Sequence, residues 1–454
     1  MCVMNAAMYN QKMALTIDRA LRVNSSSCIA FTGAGGKTTA LFQLARKLQQ
    51  PVLVTATTHL GSWQVGLADQ HIATESPALE EQLLSGVKGS ILITGELDGD
   101  RTRPVNDKLL NWLYEFCTAR AIPLLIEADG SRQKTIKGWA EHEPPIPVFA
   151  KQVVQVVGLS ALGNPLSDTF VHRAQIFSRI SQLDPGETIT SDTIINALKH
   201  PGGGLKNIPG KAQRVIILNQ ADTAELQSTA NSMVEPLLTS YNSVIISKLI
   251  DEKVFAVHEP MAGIVLAAGG SSRYGQTKQL LDWRGEPFVR AVAKTALQAG
   301  LAPVVVVKGS NAEQIGAAVD DLDVQLAHNP DWESGQGSSI KAGIQAIRAA
   351  GVGGAIFMLA DQPQITTSVL HALVEKHAEE LHPIVVPMVM DRRANPVLFD
   401  LSTFDDLLSI QGDVGGRAIF HKHRVEYLPW HDDRLLLDVD TPEMYQRLIT
   451  DETL

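Results

Sequence analysis

Residues Leu266 to Lys278 read LAAGGSSRYGQTK. The stretch opens inside an apolar run, Gly263 to Ala268, whose composition predicts a buried strand. It then becomes a small-residue loop with two cations, Arg273 and Lys278. Gly269, Gly270 and Gly275 let the backbone turn tightly and approach a ligand closely. A strand feeding a loop of unpaired amides beside positive charge suits a nucleoside triphosphate. Leu266, Ala267, Ala268, Gly269, Gly270, Ser271 and Gly275 are therefore candidate nucleotide contacts, with Arg273 and Lys278 as the catalytic charges. There is no GK[ST] ending and no GxGxxG order, so this is neither a Walker A loop nor a dinucleotide fingerprint.

Working outward, 454 residues are too many for one ordinary core, and two or three domains are expected. A formal charge of -10 argues against broad binding to nucleic acid or an anionic membrane. Cys2, Cys28 and Cys117 are scattered without metal-ligand spacing, which fits a reducing cytoplasm. No apolar run reaches the roughly 18 residues of a membrane span. Asn5, Asn10, Gln11, Lys12 and Asp18 near the start argue against a secretory signal.

Strand-like and helix-like segments alternate throughout, predicting an α/β protein with largely parallel sheets. Strands are expected at Ser27–Thr32, Val52–Ala56, Ile91–Thr94, Pro123–Glu127, Val153–Gly158 and Val215–Asn219. A second set is expected at Gly263–Ala268, Pro303–Val307, Ala355–Ala360, Ile384–Pro387 and Val425–Leu428. The first pattern stops near Asp251–Ala262, which sets two expected domains, residues 1–255 and 256–454.

The first domain carries its own glycine loop, FTGAGGKTT, from Phe31 to Thr39. Gly33, Gly35 and Gly36 supply the turn, Lys37 a cation for terminal phosphates, and Thr38 and Thr39 hydroxyls for phosphate and Mg²⁺. The loop is shorter than Walker A, so the expected fold is P-loop-like, with ATP or GTP as candidate ligand. LLIEADGSR, from Leu124 to Arg132, ends a strand in Glu127 and Asp129, where a Walker-B-like acid would stand. TATTH, from Thr55 to His59, places hydroxyls after the next strand. NQAD, from Asn219 to Asp222, resembles the base-reading NKxD element of guanine-binding P-loop proteins.

Together with AEHEP at Ala140–Pro144, VVGLSALGNPL at Val156–Leu166 and VHR at Val171–Arg173, these motifs resemble the YqeC family over residues 20 to 250. That resemblance implies an accessory role beside selenium-dependent molybdenum hydroxylases. His142 and His172 fall in these motifs and are expected to be structural.

In the second domain, NPDWESGQGSSI (Asn329–Ile340) is a polar loop entering a helix, and FMLADQP ends a strand in Asp361, well placed for Mg²⁺. DRRANPVLF, QGDVGGR and LDVDTP follow, adding Asn395, Asp413, Arg417, Asp438 and Asp440. One of the last two aspartates is expected to cap the terminal helix. As a set, these motifs resemble the molybdenum cofactor cytidylyltransferases, MobA-like nucleotidyltransferases, over Ala262 to Ile449. The resemblance implies a Rossmann-like, GT-A-like α/β/α fold and transfer of CMP from CTP to molybdopterin cofactor with release of pyrophosphate. It implies that Arg273 and Lys278 hold the triphosphate and that Asp361 coordinates magnesium; on the residues themselves, Asp440 is the candidate second metal ligand, and Asn329, Gly337, Ser338, Asn395, Asp413 and Arg417 are candidate base or acceptor contacts. Its implied partner is a molybdenum hydroxylase of the xanthine dehydrogenase type. Gln336 stands where a methionine is usual, and Ala394 where a glycine is common. Guanine-using relatives read LAGG where this chain reads LAAG, so the Ala268 methyl is expected to crowd a purine, by about 1–3 kcal/mol. Transfer to another phosphorylated acceptor, or carriage of the cofactor without transfer, are the competing readings.

Overall fold

Runs such as Val304–Val307 carry no polar alternation because both faces of the strand are covered. Val304 and Val306 join one apolar cluster, and Val305 and Val307 join the cluster on the opposite face. This is the signature of a parallel strand between two helical layers. The computed structural model describes residues 15–450 apart from 49–50, 75–79, 81–82, 84–85, 87, 271–276 and 440. The chain forms two compact units, Ala14–His258 and Glu259–Leu454.

The first unit is built on nine strands: β1 (Cys28–Gly33), β2 (Val52–Ala56), β3 (Gln70–Ala73), β4 (Ser90–Thr94), β5 (Leu124–Glu127), β6 (Gln152–Gly158), β7 (Gln213–Asn219), β8 (Ser243–Lys248) and β9 (Lys253–His258). Their order in the sheet is β9-β8-β7-β6-β1-β5-β2-β4-β3. All neighbours are parallel except β8 and β9. The glycine-loop strand β1 lies near the middle, flanked by β5 and β6, so residues that follow these three strands converge. β9, half-buried and antiparallel, closes one edge of the first sheet.

The second unit contains β10 (Met261–Ala267), β11 (Val304–Lys308), β12 (Gln325–His328), β13 (Gly354–Leu359), β14 (Ile384–Val389), β15 (Arg392–Arg393), β16 (Val397–Asp400) and β17 (Val425–Pro429). The order is β12-β11-β10-β13-β16-β14-β15, with β17 beside β14. β16 runs antiparallel to both β13 and β14, so the sheet is mixed. Helices Phe288–Gln298 and Thr367–Glu380 contribute to one core cluster and helix Gln336–Ile347 to the other, giving an α/β/α sandwich. Burying each Val, Ile or Leu of these strands contributes about 1.5–3 kcal/mol. Among the described residues, no helix is long and apolar enough to cross a membrane.

Candidate functional site

In the first unit, the chain leaves β1 at Gly33, turns through Ala34–Gly36, and enters helix Lys37–Lys47. Gly36 has φ +133°, and a Cβ there would lie 2.4 Å from the Asn219 amide. At Gly35, with φ +78°, a Cβ would lie 2.4 Å from the Gly158 nitrogen. Only glycine lets the loop seat against β6 and β7. Gly35, Gly36, Lys37, Thr38 and Thr39 line a cavity of about 850 Å³ together with Glu127, Asn219 and Asp222.

Two acids expected to act alike are placed differently. The Glu127 carboxylate accepts from the Thr38 hydroxyl at 3.2 Å, and the Gln64 amide donates to Thr38 Oγ1 at 2.9 Å. Burial pushes the Glu127 carboxyl up, against the pull of Lys37. Hydroxyl and carboxylate side by side are hard oxygen donors suited to Mg²⁺. Asp129, by contrast, does not line the cavity. It is wholly buried and accepts from Thr32 Oγ1 (2.8 Å), the Gly33 amide (3.0 Å) and Lys137 (3.0 Å), with Lys37 at 3.1 Å. Burial raises its pKa, but Lys37, Lys137 and the Gly33 amide together outweigh that and hold it below the usual range. Asp129 anchors the loop from beneath, and Gly33 goes with it.

Lys37, only 4% exposed, folds back to donate to the Gly33 carbonyl at 2.9 Å. Beyond Asp129 the charges alternate: Lys137 also donates to Glu143 at 2.8 Å, and Glu143 pairs with Arg173. Asp129 of EADGSR, Glu143 of AEHEP and Arg173 of VHR thus form one network, joined by Lys137, which is 1% exposed. Neighbouring His172 is pushed down to about 4 by burial and by Arg173. Lys137 escaped the sequence reading, although its place between Ile136 and Trp139 was the available signal.

Asn219 is also more strut than reader. Its Nδ2 donates to the Gly35 carbonyl at 2.7 Å, and its Oδ1 accepts from the Leu249 amide at 2.9 Å. Asp222 stands free of this lock on the cavity wall.

In the second unit, a cavity of about 450 Å³ lies at the carboxyl ends of β10 and β13. Leu266, Asp361, Asn395 and Arg417 share its wall with Gln336 and Asp438. Gln362 donates to Asp438 at 2.7 Å, fixing that carboxylate. The terminal helix takes its cap from Thr441, whose hydroxyl accepts from the Met444 amide at 3.3 Å, which leaves Asp438 to the cavity. Ser271, Arg273, Gly275 and Asp440 lie outside the described residues.

Four expected contacts are elsewhere. Asn329 is buried and donates to Ser338 and Ser339 at 2.8 and 2.9 Å. Ser338 donates to the Gly335 carbonyl at 2.8 Å, and Asp413 accepts from the Gln336 amide at 3.3 Å. The Gly337 amide donates to the Gly412 carbonyl at 3.4 Å. These residues join two loops behind the wall. Lys278 is buried at the start of a helical turn and is not part of the described wall. Ala267 is buried in the core, Gly269 accepts at its carbonyl from Gln279, and Gly270 sits against the Trp332 ring. Ala268, 2% exposed, packs in the cluster with Val307 and Trp332. Its methyl is not part of the described wall of this cavity.

Two open sheets with polar cavities where their parallel strands end define an α/β protein of the kind that binds ligands at strand termini. Residues 29–175 match the family described as YqeC protein, and residues 263–427 match the MobA-like NTP transferase domain. The uncharacterized protein YqeC of Escherichia coli is 31% identical over 232 residues, 49% of this chain and 87% of that one. Purine catabolism protein PucB of Bacillus subtilis is 32% identical over 195 residues, 41% of this chain and 94% of that one. A molybdenum cofactor guanylyltransferase of Xanthomonas euvesicatoria is 45% identical over 62 residues, 14% of this chain and 32% of that one. The chain belongs to the YqeC protein family through its first unit and to the MobA-like NTP transferases through its second.

Proposed function

We propose that the second unit transfers CMP from CTP to molybdopterin cofactor, and that the first is a P-loop-like nucleotide-binding module serving maturation of a molybdenum hydroxylase of the xanthine dehydrogenase type. The observation that carries the transferase reading is the meeting of Asp361, Asp438, Asn395 and Arg417 in one cavity. An oxygen of the acceptor's terminal phosphate attacks the α-phosphorus of CTP. The bond to the bridging oxygen breaks, and its electron pair leaves with pyrophosphate. No protein nucleophile is needed, because the acceptor is already anionic. The protein's task is to bring two polyanions together and offset their repulsion. Asp361 and Asp438 are the hard carboxylates to hold magnesium, which would supply charge neutralisation at the leaving group. Arg417 lines the same space with its positive charge, while Asn395 and Gln336 present amides to base or acceptor. Arg273 and Lys278 are proposed to hold the triphosphate.

The test is pyrophosphate release by the full chain with Mg²⁺ and molybdopterin cofactor, comparing CTP, GTP and ATP. CTP-dependent release, cut at least about a hundredfold in Asp361→Asn and in Asp438→Asn with unchanged melting temperature, is expected. No release with any of the nucleotides, despite cofactor binding, would replace transfer by carriage. Release with a different phosphorylated acceptor alone would change the acceptor and keep the chemistry.

A further inference from the structure

We infer that the nucleotide of the first unit carries guanine and that Asp222 reads it. This rests on the proposal that the Gly33–Thr39 loop takes phosphates. The same cavity runs from Gly36 and Lys37 to Asp222, Lys248 and Ile250. Asn219 ties those two ends together, bonded on one side to the Gly35 carbonyl and on the other to the Leu249 amide. A ligand held at the glycine loop therefore meets the Asp222 segment at a fixed spacing.

Three features of that end suit a purine with adjacent donors. Asp222 is 46% exposed and lies 3.9 Å from the Lys248 ammonium, which sits closer to Asp251, at 2.9 Å. Its carboxylate oxygens thus remain available as acceptors. The side-chain oxygen of Gln220, on the same wall, is already engaged by Ser160 Oγ at 2.7 Å. Ile250, 77% exposed, offers an apolar surface for the face of a base.

Hydrogen-bond chemistry then chooses the base. A carboxylate only accepts. Guanine presents N1–H and the N2 amino group side by side, so both carboxylate oxygens find donors in a charge-assisted pair. Adenine places the N1 lone pair beside its amino group, and cytosine places N3 in the same way, so either would set a lone pair against the carboxylate. A site built for such a pair rejects the wrong partner strongly, by up to about 10⁴-fold when fully enclosed. Because Asp222 is half-exposed, about a hundredfold preference is expected. An asparagine at this position offers one acceptor and one donor. That matches xanthine, which keeps N1–H and carries a carbonyl at C2.

The experiment is isothermal titration of the full chain with GTP, ATP and XTP in Mg²⁺, on an Asp361→Asn background that stops turnover at the second site. Binding is assigned to the first unit by its loss in Lys37→Met and, leaving the buried ion pairs intact, in Thr38→Val. GTP should bind about a hundredfold more tightly than ATP, and Asp222→Asn should lose GTP while gaining XTP by a similar factor. Equal GTP and ATP affinities, both sensitive to Thr38→Val, would overturn the guanine assignment and leave the phosphate site standing. Loss of GTP in Asp222→Asn without gain of XTP would also overturn it. No triphosphate binding sensitive to either loop variant would remove both.

Discussion

Lys137→Met isolates the buried charge chain beneath the glycine loop. Methionine matches the lysine stem in length and apolar character, so packing is nearly conserved while three bonds disappear. These run to Asp129 at 3.0 Å, to Glu143 at 2.8 Å and to the Gly130 carbonyl at 2.7 Å. Asp129 keeps Lys37 and Glu143 keeps Arg173, yet each carboxylate then has one cation fewer in a site closed to water. Breaking a buried pair from one side costs about 3–5 kcal/mol, a large share of the roughly 5–15 kcal/mol that holds a domain folded. Hydrogen exchange read by mass spectrometry reports the two units separately. Peptides of Ala14–His258 should exchange about a hundredfold faster or more, and those of the second unit should be unchanged. The wild-type carboxyls of Asp129 and Glu143 are held below their ordinary values of 3.8 and 4.5. Their stabilising contribution is therefore complete above those values and disappears as pH falls through the depressed folded ones. The gap between wild type and variant should accordingly be widest near neutrality and close in acid. Adding Glu143→Gln should recover part of the loss. A cost below about 1 kcal/mol at pH 7, typical of a surface pair, would refute the account of the network.

Three further outcomes follow from the two sites. Because the buried Glu127 carboxyl is raised above 4.5, nucleotide affinity in Mg²⁺ should climb with pH through that raised value, and Glu127→Gln should be weak and flat with pH in the same titration; parallel slopes would count against a metal at Thr38 and Glu127. Gly335→Ala should lower the melting temperature, because φ is +109° and the new Cβ would sit 2.4 Å from Asp413 Cα, a strain of about 1–3 kcal/mol. Ala268→Gly should cost about 0.5–1 kcal/mol in thermal unfolding while leaving the CTP-to-GTP activity ratio unchanged, since its methyl belongs to the core.

Most strands that were legible beforehand are buried on both faces, Val425–Pro429 being the half-exposed exception. Val52–Ala56, apolar but for the buried Thr55, and the valine run Val304–Val307 each form a strand. Two strands passed over, Ser243–Lys248 and Val397–Asp400, are buried within their sheets, and the others lie at or near edges. Gln70–Ala73, Gln325–His328 and Lys253–His258 are half-exposed, mix polar with apolar residues, and take their conformation from a neighbour. Site residues divide in a similar way. Glycine spacing pointed to the loop, because positive φ and close backbone approach leave few alternatives. Asn219 and Asn329 were read as ligand contacts, yet their partners lie on other segments, Gly35 and Leu249 for one and Ser338 for the other. A lysine such as Lys137 reads as a solvated charge until Asp129 and Glu143 are brought to it by the fold.

The edge strand Lys253–His258 also governs where the gene can be divided. Only Glu259 and Pro260 separate it from Met261, the first residue of β10, and the Pro260 carbonyl already accepts from the Gly353 amide of the second unit. Halves expressed with a cut at Asp251 would leave Ser243–Lys248 as a bare ladder of amides and carbonyls, open to pairing with another copy. The orphaned hexapeptide would trail from the other half as a sticky, unfolded leader. A cut directly after His258 keeps every rung of the first sheet occupied.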